Sequence, residues 1–336
     1  MTFEINDECR VLFERAAVVD GLDTSRWGRE QTYRKLRDGG VTAINATLAV
    51  WDDFRQLISN VEDWYGWFDE FGDLIRPVRE VEDVRAAKAE GRTGIIFGLQ
   101  NPAPIGDDLR RVRLLHELGV RIIQLTYNER NLLGDGCYEA TDVGLSRFGL
   151  DVIREMNEHG LLVDLSHCGE RTTIEAIEAS EQPVAITHAG PRARCDHPRN
   201  KRDHVIRLLA EHGGVIGANG YPLFLPGGVD ATLGELIDSI EYLVELAGID
   251  QVAVGTDFCD GQPREWFRWI FSTSHGHRPP ERMPDLPDPH RQLIGFEDQT
   301  HFIGLAAGLL DRGYSEEDVL KLLGENWLRL FSAVWR

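Results

Sequence analysis

Cysteine, long apolar runs and basic charge are all scarce in this sequence of 336 residues. The five cysteines are odd in number and form no CxxC pair, so we expect free thiols in a reducing compartment rather than a disulfide framework. No apolar run approaches the roughly 18 residues that a membrane-spanning helix needs. The acidic start MTFEINDECR also lacks the apolar core of a signal peptide. Together these absences predict a cytoplasmic protein.

Acidic residues outnumber basic ones by 56 to 36, which gives a formal net charge of −20 at pH 7. A surface this negative repels phosphate backbones and anionic lipid head groups, so nucleic acid and membrane surfaces are not expected as primary partners. The composition, 42% hydrophobic and 27% charged, is ordinary for a globular protein. A chain of this length buries roughly three quarters of its unfolded surface, so the core needs no structural metal.

Eight short apolar runs recur along the chain, and most are followed by a stretch with helical periodicity. The runs are Ala16–Leu22, Gly40–Leu48, Thr93–Gln100, Val120–Tyr127, Leu161–His167, Pro183–Gly190, Gly213–Gly220 and Gln251–Phe258. Most are rich in β-branched residues, which is typical of strands buried on both faces of a parallel sheet. Eight such units predict an α/β fold, a (β/α)8 TIM barrel, formed by a single domain over residues 1–336.

Residues 260–295 interrupt this pattern, because they are rich in Pro, Trp and His and show no clear period. A long irregular insertion after the eighth strand is expected to lie over the barrel mouth. There it would act either as a lid or as a contact with a second copy of the chain in a homo-oligomer.

Two histidines and an aspartate stand at the ends of predicted strands. His167 and His188 close neighbouring strands, and Asp257 closes the last one. Adjacent parallel strands lie about 4.8 Å apart and Zn–N bonds are about 2.0–2.1 Å long, so both imidazoles can reach one ion. Asp257 would face the same mouth as a general base or a third ligand. The alternative is that these are unrelated polar residues at strand ends.

A basic segment, GPRARCDHPRNKRDH, follows the sixth predicted strand in a chain that is otherwise acidic. A guanidinium in this segment can hold a substrate carboxylate through two parallel hydrogen bonds. For most of its five cationic residues a solvated loop is the better interpretation.

At this point the chain resembles the membrane (renal) dipeptidase family, peptidase family M19, among the amidohydrolase-like metal barrels. The resemblance covers nearly the whole chain. It depends on GLLVDLSHCG (160–169), PVAITHAG (183–190), HPRN (197–200), GGVIGANGYPLFL (213–225), GIDQVAVGTDFCDG (248–261), GVRIIQLTYNERN (119–131) and the C-terminal SEEDVLKLLGENWLRLF.

Members of this family usually hold two zinc ions. The resemblance implies that His167 and His188 ligate one ion, that Asp257 handles protons, and that Arg199 helps to hold the substrate. Tyr127 stands where the family often has a histidine that contacts substrate, so it is a candidate substrate-binding residue.

The ligands of the other ion are missing from this sequence. Where the family has Asp-Gly-His-x-Asp, this chain has Leu22 and Thr24 in place of the His and the second Asp, and Gln100 replaces the bridging Glu. Asp23 is one residue out of phase, so in a strand it points to the opposite face. The sequence therefore predicts at most one zinc ion.

The sequence thus predicts a divergent hydrolase of this family that acts on a small amide or a dipeptide-like substrate with one zinc ion or none. A second hypothesis is a non-catalytic binding or regulatory protein built on a degenerate dipeptidase barrel, since fold does not fix function. A third is a lyase or decarboxylase on the same barrel. Metal content separates the first two, and product analysis detects the third.

Overall fold

Parallel strands form the centre of the molecule, and the computed structural model describes residues 3–273, 276–278 and 292–336. Nine strands occur in these residues. They are β1 Val18–Asp23, β2 Val41–Ala49, β3 Ile75–Val78, β4 Thr93–Leu99, β5 Val120–Gln124, β6 Leu162–Asp164, β7 Ala185–Ala189, β8 Val215–Asn219 and β9 Val252–Gly255.

Eight of the strands follow one another in the order β1-β2-β4-β5-β6-β7-β8-β9, and every pairing is parallel. The two outer strands meet beyond β9, where the Asp257 amide donates to the Leu22 carbonyl at 3.0 Å and the Thr24 amide donates to the Phe258 carbonyl at 2.8 Å. The result is a nearly closed parallel barrel, which confirms the predicted (β/α)8 fold.

One strand, β3, lies outside this order and was not predicted from the sequence. It pairs with Thr93–Ile96 of β4, on the edge where β5 pairs with the remainder of β4 from Phe97. Its four residues, IRPV, include a proline that removes one backbone donor, so neither length nor alternation marked it as a strand.

Helices flank the barrel. They are α1 Asp7–Arg15, α2 Glu30–Asp38, α3 Phe54–Glu70, α4 Val81–Glu90, α5 Arg110–Glu117, α6 Arg147–His159, α7 Glu170–Ala179, α8 Asp203–Glu211, α9 Leu233–Ala247, α10 Arg264–Ile270, α11 Phe302–Asp311, α12 Glu316–Leu320 and α13 Asn326–Val334, with a π-helical turn at Lys321–Glu325. Among the described residues no helix is both long and apolar enough to cross a membrane.

Local sequence signals set several helix ends and faces. The α6 helix begins at Ser146, whose hydroxyl accepts the Gly149 amide at 2.9 Å, and ends at Gly160 with a left-handed φ of 71°. The aromatic-rich α3 buries Leu57, Val61 and Trp64 at helical spacing against the barrel.

The predicted insertion contains more order than its sequence indicated. Helix α10 lies within it, and Thr273 and Arg278 form an antiparallel bridge. Residues 274, 275 and 279–291 lie outside the described part, so the predictions of a lid and of a homo-oligomer contact for the whole insertion stay predictions.

Candidate active site

The carboxyl ends of the barrel strands surround one pocket. Every site residue predicted from the sequence except His188 lines it, and the His188 ring contacts the His167 ring. The lining residues are Thr24, Gln100, Tyr127, Asn128, Tyr138, His167, Arg199, Tyr221, Phe224, Asp257, Cys259, Trp266, Phe267, Ile270 and Phe271. We call this the central pocket. Its position at the C-terminal end of the strands is where barrels of this fold place their chemistry.

His167 and His188 converge on each other at the base of the pocket. Their Nε2 atoms lie 3.0 Å apart, and both side chains are buried. The ring of Tyr127 stacks on His167 with a centroid distance of 4.2 Å and an interplanar angle of 23°. Tyr127 therefore covers one face of the His167 ring.

Hydrogen bonds on the far side of each ring fix which nitrogen is free. The Nδ1 of His167 lies 2.7 Å from Asn128 Oδ1, an acceptor, so Nδ1 carries the proton. The Nδ1 of His188 lies 2.8 Å from the Thr187 hydroxyl, which already donates to Asp164 at 2.8 Å and so accepts from this ring. Both Nε2 atoms then present lone pairs to the same point.

Electrostatics keep both rings neutral. Burial, together with the positive charge of Arg199, holds the pKa of His167 and of His188 well below the usual range. Neutral imidazole is the form that ligates a metal. Two nitrogen ligands around a tetrahedral zinc ion lie about 3.3 Å apart, so a separation of 3.0 Å needs little adjustment to accept one.

A buried carboxylate, Asp164, holds the two histidine-bearing segments together. It accepts from Ser166 N at 3.0 Å, Ser166 Oγ at 2.6 Å, Thr187 N at 3.0 Å and Thr187 Oγ1 at 2.8 Å. Regular pairing between β6 and β7 is limited to one register pair, Asp164 with Ala185. The side chain of Asp164 thus replaces the missing ladder bonds and sets the spacing of the residues that follow each strand.

Sequence reasoning missed this role of Asp164. The available signal was an aspartate inside an apolar strand, three residues before the histidine in LLVDLSH. A buried carboxylate needs several donors, and only the ends of neighbouring strands supply them here.

Arg199 is buried beside the histidines. Its Nη2 donates to the His188 carbonyl at 3.0 Å, its Nη1 donates to the Ser166 carbonyl, and its guanidinium carbon lies 5.3 Å from the centre of the Phe224 ring. The Nε atom is buried without a hydrogen-bond partner among the described residues. Lys201, from the same basic segment, is also buried, and its ammonium donates to the Leu165 and Cys168 carbonyls at 2.8 Å.

Asp257 lies on the opposite side of the pocket in an unusual backbone conformation. Its φ is 59°, and among the described non-glycine residues only Asn128, with φ 60°, is also positive. Both residues line the central pocket, where strained conformations tend to be retained for function. Burial raises the pKa of Asp257, while the charge of Arg199 lowers it. Asn219 Nδ2 lies 3.4 Å from the Asp257 carboxylate and so helps to orient it.

Two of the three residues that replace the family's other ligands also line this pocket. Thr24 and Gln100 line it, but Thr24 donates to the Phe258 carbonyl at 2.8 Å and Gln100 Nε2 donates to the Thr47 hydroxyl at 2.9 Å. Asp23 faces elsewhere, accepting from Gln299 Nε2 at 2.7 Å. Leu22 is buried and does not line the pocket.

Within the described residues no group of three or more His, Cys, Asp and Glu side chains is placed to hold one ion. The histidine pair is the candidate donor set among these residues, and it supplies two ligands. An open position is what distinguishes catalytic from structural zinc sites.

The fold, with its pocket at the C-terminal ends of the strands, is that of a (β/α)8 barrel of the kind found in many enzymes. The chain belongs to the membrane dipeptidase family, peptidase family M19, whose model matches residues 12–266.

Individual relatives agree with this assignment. The chain is similar to an amidohydrolase from Pseudomonas aeruginosa of known structure, with 36% identity, a TM-score of 0.92 and coverage of 97% of this chain and 99% of that one. It is 32% identical over 233 residues to an uncharacterized dipeptidase of Schizosaccharomyces pombe, covering 68% of this chain and 54% of the relative. It is 28% identical over 288 residues to dipeptidase tcpJ of Claviceps purpurea, covering 84% and 60%. The chain thus spans little more than half the length of these two dipeptidases.

Proposed function

We propose that this protein is a hydrolase of small amides or dipeptide-like substrates that uses at most one zinc ion, held by His167 and His188. The observation that carries the proposal is the convergence of the two Nε2 atoms at 3.0 Å in a pocket that also holds Asp257 and Arg199. Family membership and the similarity to a solved amidohydrolase support it.

The residues of the pocket divide the work of hydrolysis. When bound, zinc supplies Lewis acidity and lowers the pKa of water. Asp257, with its pKa raised by burial, accepts a proton from the attacking water and returns it to the leaving amine. Asn219 orients the Asp257 carboxylate, and Asn128 keeps His167 in the tautomer that ligates.

Arg199 and Tyr127 position the substrate. The two Nη atoms of Arg199 are used by backbone carbonyls, so its buried Nε and its positive charge remain for a substrate carboxylate. Tyr127 packs over His167 and limits the substrate to the open side of the histidine pair.

The limit of one ion follows from the three residues that replace the ligands of the family's other ion. Leu22 has no donor atom, Thr24 supplies a neutral hydroxyl that is already hydrogen-bonded, and Gln100 supplies a neutral amide. A neutral amide between two dications does not screen their repulsion as a carboxylate does.

Metal analysis of variants tests the proposal. The purified protein is expected to hold no more than one zinc per chain and to release free amino acids from unmodified dipeptides. His167→Ala and His188→Ala should each lose the metal and the activity with unchanged circular dichroism, while His212→Ala, an exposed histidine at the end of α8, should keep both. Two tightly bound metals per chain, or full metal content in both histidine variants, would contradict the assignment.

The second hypothesis, a non-catalytic binding protein, is favoured by one feature, the neutral Thr24 and Gln100 in the place of carboxylates. It predicts neither zinc binding nor amino-acid release in the same experiment, with retained affinity for dipeptide-like ligands.

A further inference from the structure

The central pocket contains very little charge. Among the described residues that line it, Arg199 is the one cationic side chain and Asp257 the one acidic side chain. The remaining wall is dominated by aromatic and aliphatic side chains, from Tyr127, Tyr138, Tyr221, Phe224, Phe267 and Ile270. Any further charge that entered with a ligand would have no counter-charge on this wall.

One side of the wall comes from residues 266–271, at the start of the predicted insertion. Trp266, Phe267, Ile270 and Phe271 all line the central pocket, and the matched region of the family model ends at residue 266. Phe267 and Ile270 are 1% and 5% exposed, so the wall is packed rather than loosely attached.

This side of the wall is anchored to the barrel by specific contacts. Trp51 Nε1 donates to the Ile270 carbonyl at 3.3 Å, and the Trp51 ring meets Tyr127 edge-on at a centroid distance of 5.1 Å. Phe267 packs in a cluster with Tyr221, Phe224 and Cys259. Helix α10 therefore has a fixed position against the residues that surround the reacting centre.

We propose that residues 266–271 make the pocket selective for dipeptides whose side chains are uncharged and apolar. The inference depends on the proposed function and deepens it. A dipeptide at pH 7 carries a carboxylate, whose charge is opposite to that of Arg199. Arg199 is then used by this carboxylate and Asp257 by the proton transfer, so a substrate side chain that lies against residues 266–271 meets aromatic and aliphatic surface.

The energetic basis is the cost of burying an unpaired charge. A charged side chain placed against Phe267 and Ile270 loses its water and gains no charged partner from the described residues of this wall, whereas an apolar side chain of equal length gains contact area. We therefore expect a ratio of at least about 100-fold between isosteric apolar and charged substrates.

A panel of matched dipeptides tests the selectivity. Alanyl-norleucine, alanyl-lysine and alanyl-glutamate have side chains of similar length, and the reversed dipeptides place the same groups at the other position. On the zinc-loaded protein, kcat/KM is expected to be higher for norleucine than for lysine or glutamate in at least one position. If no dipeptide is hydrolysed, the proposed function fails, and the same ratio is then measured as affinity by titration calorimetry.

Two variants at the end of α10 test whether the wall sets the selectivity. Phe271→Lys, directly after the helix, places an ammonium at the half-buried end of the wall and should improve alanyl-glutamate relative to alanyl-norleucine by roughly tenfold. Trp269→Lys is the matched control, because Trp269 is half-buried two residues earlier but lines a neighbouring pocket rather than the central one.

In Trp269→Lys the ratio between alanyl-glutamate and alanyl-norleucine should equal that of the unmodified protein. Equal hydrolysis or equal binding of charged and apolar dipeptides by the unmodified protein would overturn the inference, as would the absence of any binding. An unchanged ratio in a folded Phe271→Lys variant would show that this wall does not set it.

Discussion

Two buried aspartates act as cross-strand connectors rather than as catalytic groups. Asp164 accepts four hydrogen bonds from residues after β6 and within β7. Asp20 in β1 accepts from the Thr256 amide at 2.8 Å, the Thr256 hydroxyl and the Leu22 amide at 3.2 Å, so it joins β1 to the end of β9. The same chemistry thus appears at two places on the barrel rim, but only Asp164 supports the histidine pair.

Replacing Asp164 with asparagine should separate this positioning role from general stability. Asp164→Asn loses acceptor capacity toward Ser166 and Thr187, so the two Nε2 atoms are held less firmly and zinc affinity should fall about 10–100-fold. Competition with a chelator of known zinc affinity measures this change.

Asp20→Asn is the matched control for Asp164→Asn. It breaks an equivalent network away from the histidines, and both variants should lose on the order of 1–3 kcal/mol in the free energy of unfolding. If both lowered zinc affinity equally, the effect would be global, and the specific role of Asp164 would be wrong.

At the scale of elements, sequence patterns predicted the strands and helices whose residues repeat with a clear local period. The eight runs correspond to β1, β2 and β4–β9, because a β-branched core strand between helices has a strong signal. No such signal marks β3, which is short and pairs only with the first half of β4, or α10, whose seven residues lie in a Pro-rich segment. Both elements are held by tertiary contacts, which composition does not record.

Close packing inside the barrel explains why glycine occupies two neighbouring strands. A Cβ atom on Gly217 of β8 would lie 2.0 Å from the Thr187 carbonyl oxygen and 3.0 Å from the Trp327 ring, and one on Gly255 of β9 would lie 1.9 Å from the same oxygen. These glycines admit the backbone of β7 and the buried indole of Trp327, whose Nε1 donates to the Val254 carbonyl at 3.0 Å.

Gly217→Ala should therefore overpack the barrel and lower the free energy of unfolding by about 1–3 kcal/mol. Gly66→Ala is the matched control, since Gly66 is exposed on α3 and no atom lies within 4 Å of the added Cβ. It should raise the free energy of unfolding by about 0.5–1 kcal/mol. Denaturant unfolding measures both. Equal stability of Gly217→Ala and the unmodified protein would mean that β7 and β8 can move apart.

At the scale of the whole molecule, the barrel brings residues distant in sequence to one rim. The proximity of His167, His188 and Asp257 could be predicted because strand ends of a parallel barrel must share a face, whereas Arg199 was indicated by the family resemblance alone. Their supporting partners could not, since Asn128 lies in the loop after β5 and Asn219 is the last residue of β8, and no short spacing in the sequence marks either contact. The sequence did not predict the aromatic wall of residues 266–271 either, because no short spacing marks its contacts with the barrel.

The ligand positions of the second ion, now Leu22, Thr24 and Gln100, can be restored by substitution and tested. Thr24 and Gln100 still line the central pocket with Asp257, so the strand ends that held the missing ligands remain in place. The triple change Leu22→His, Thr24→Asp and Gln100→Glu supplies a histidine and an aspartate two residues apart, on one face of the chain, and a carboxylate to lie between two ions.

The triple variant is expected to bind a second metal ion and to gain measurable dipeptidase activity, whereas each single change should do little because one ligand does not hold an ion. Leu22→His, Thr24→Asn and Gln100→Glu together form the control, which matches the shape but lacks one carboxylate. Elemental analysis and release of free amino acids are the measurements. If the folded triple variant still holds one ion, position 22 is the expected cause, because Leu22 is buried outside the central pocket. Its side chain would then point away from the site, and the family's ligand geometry would not apply to the end of β1.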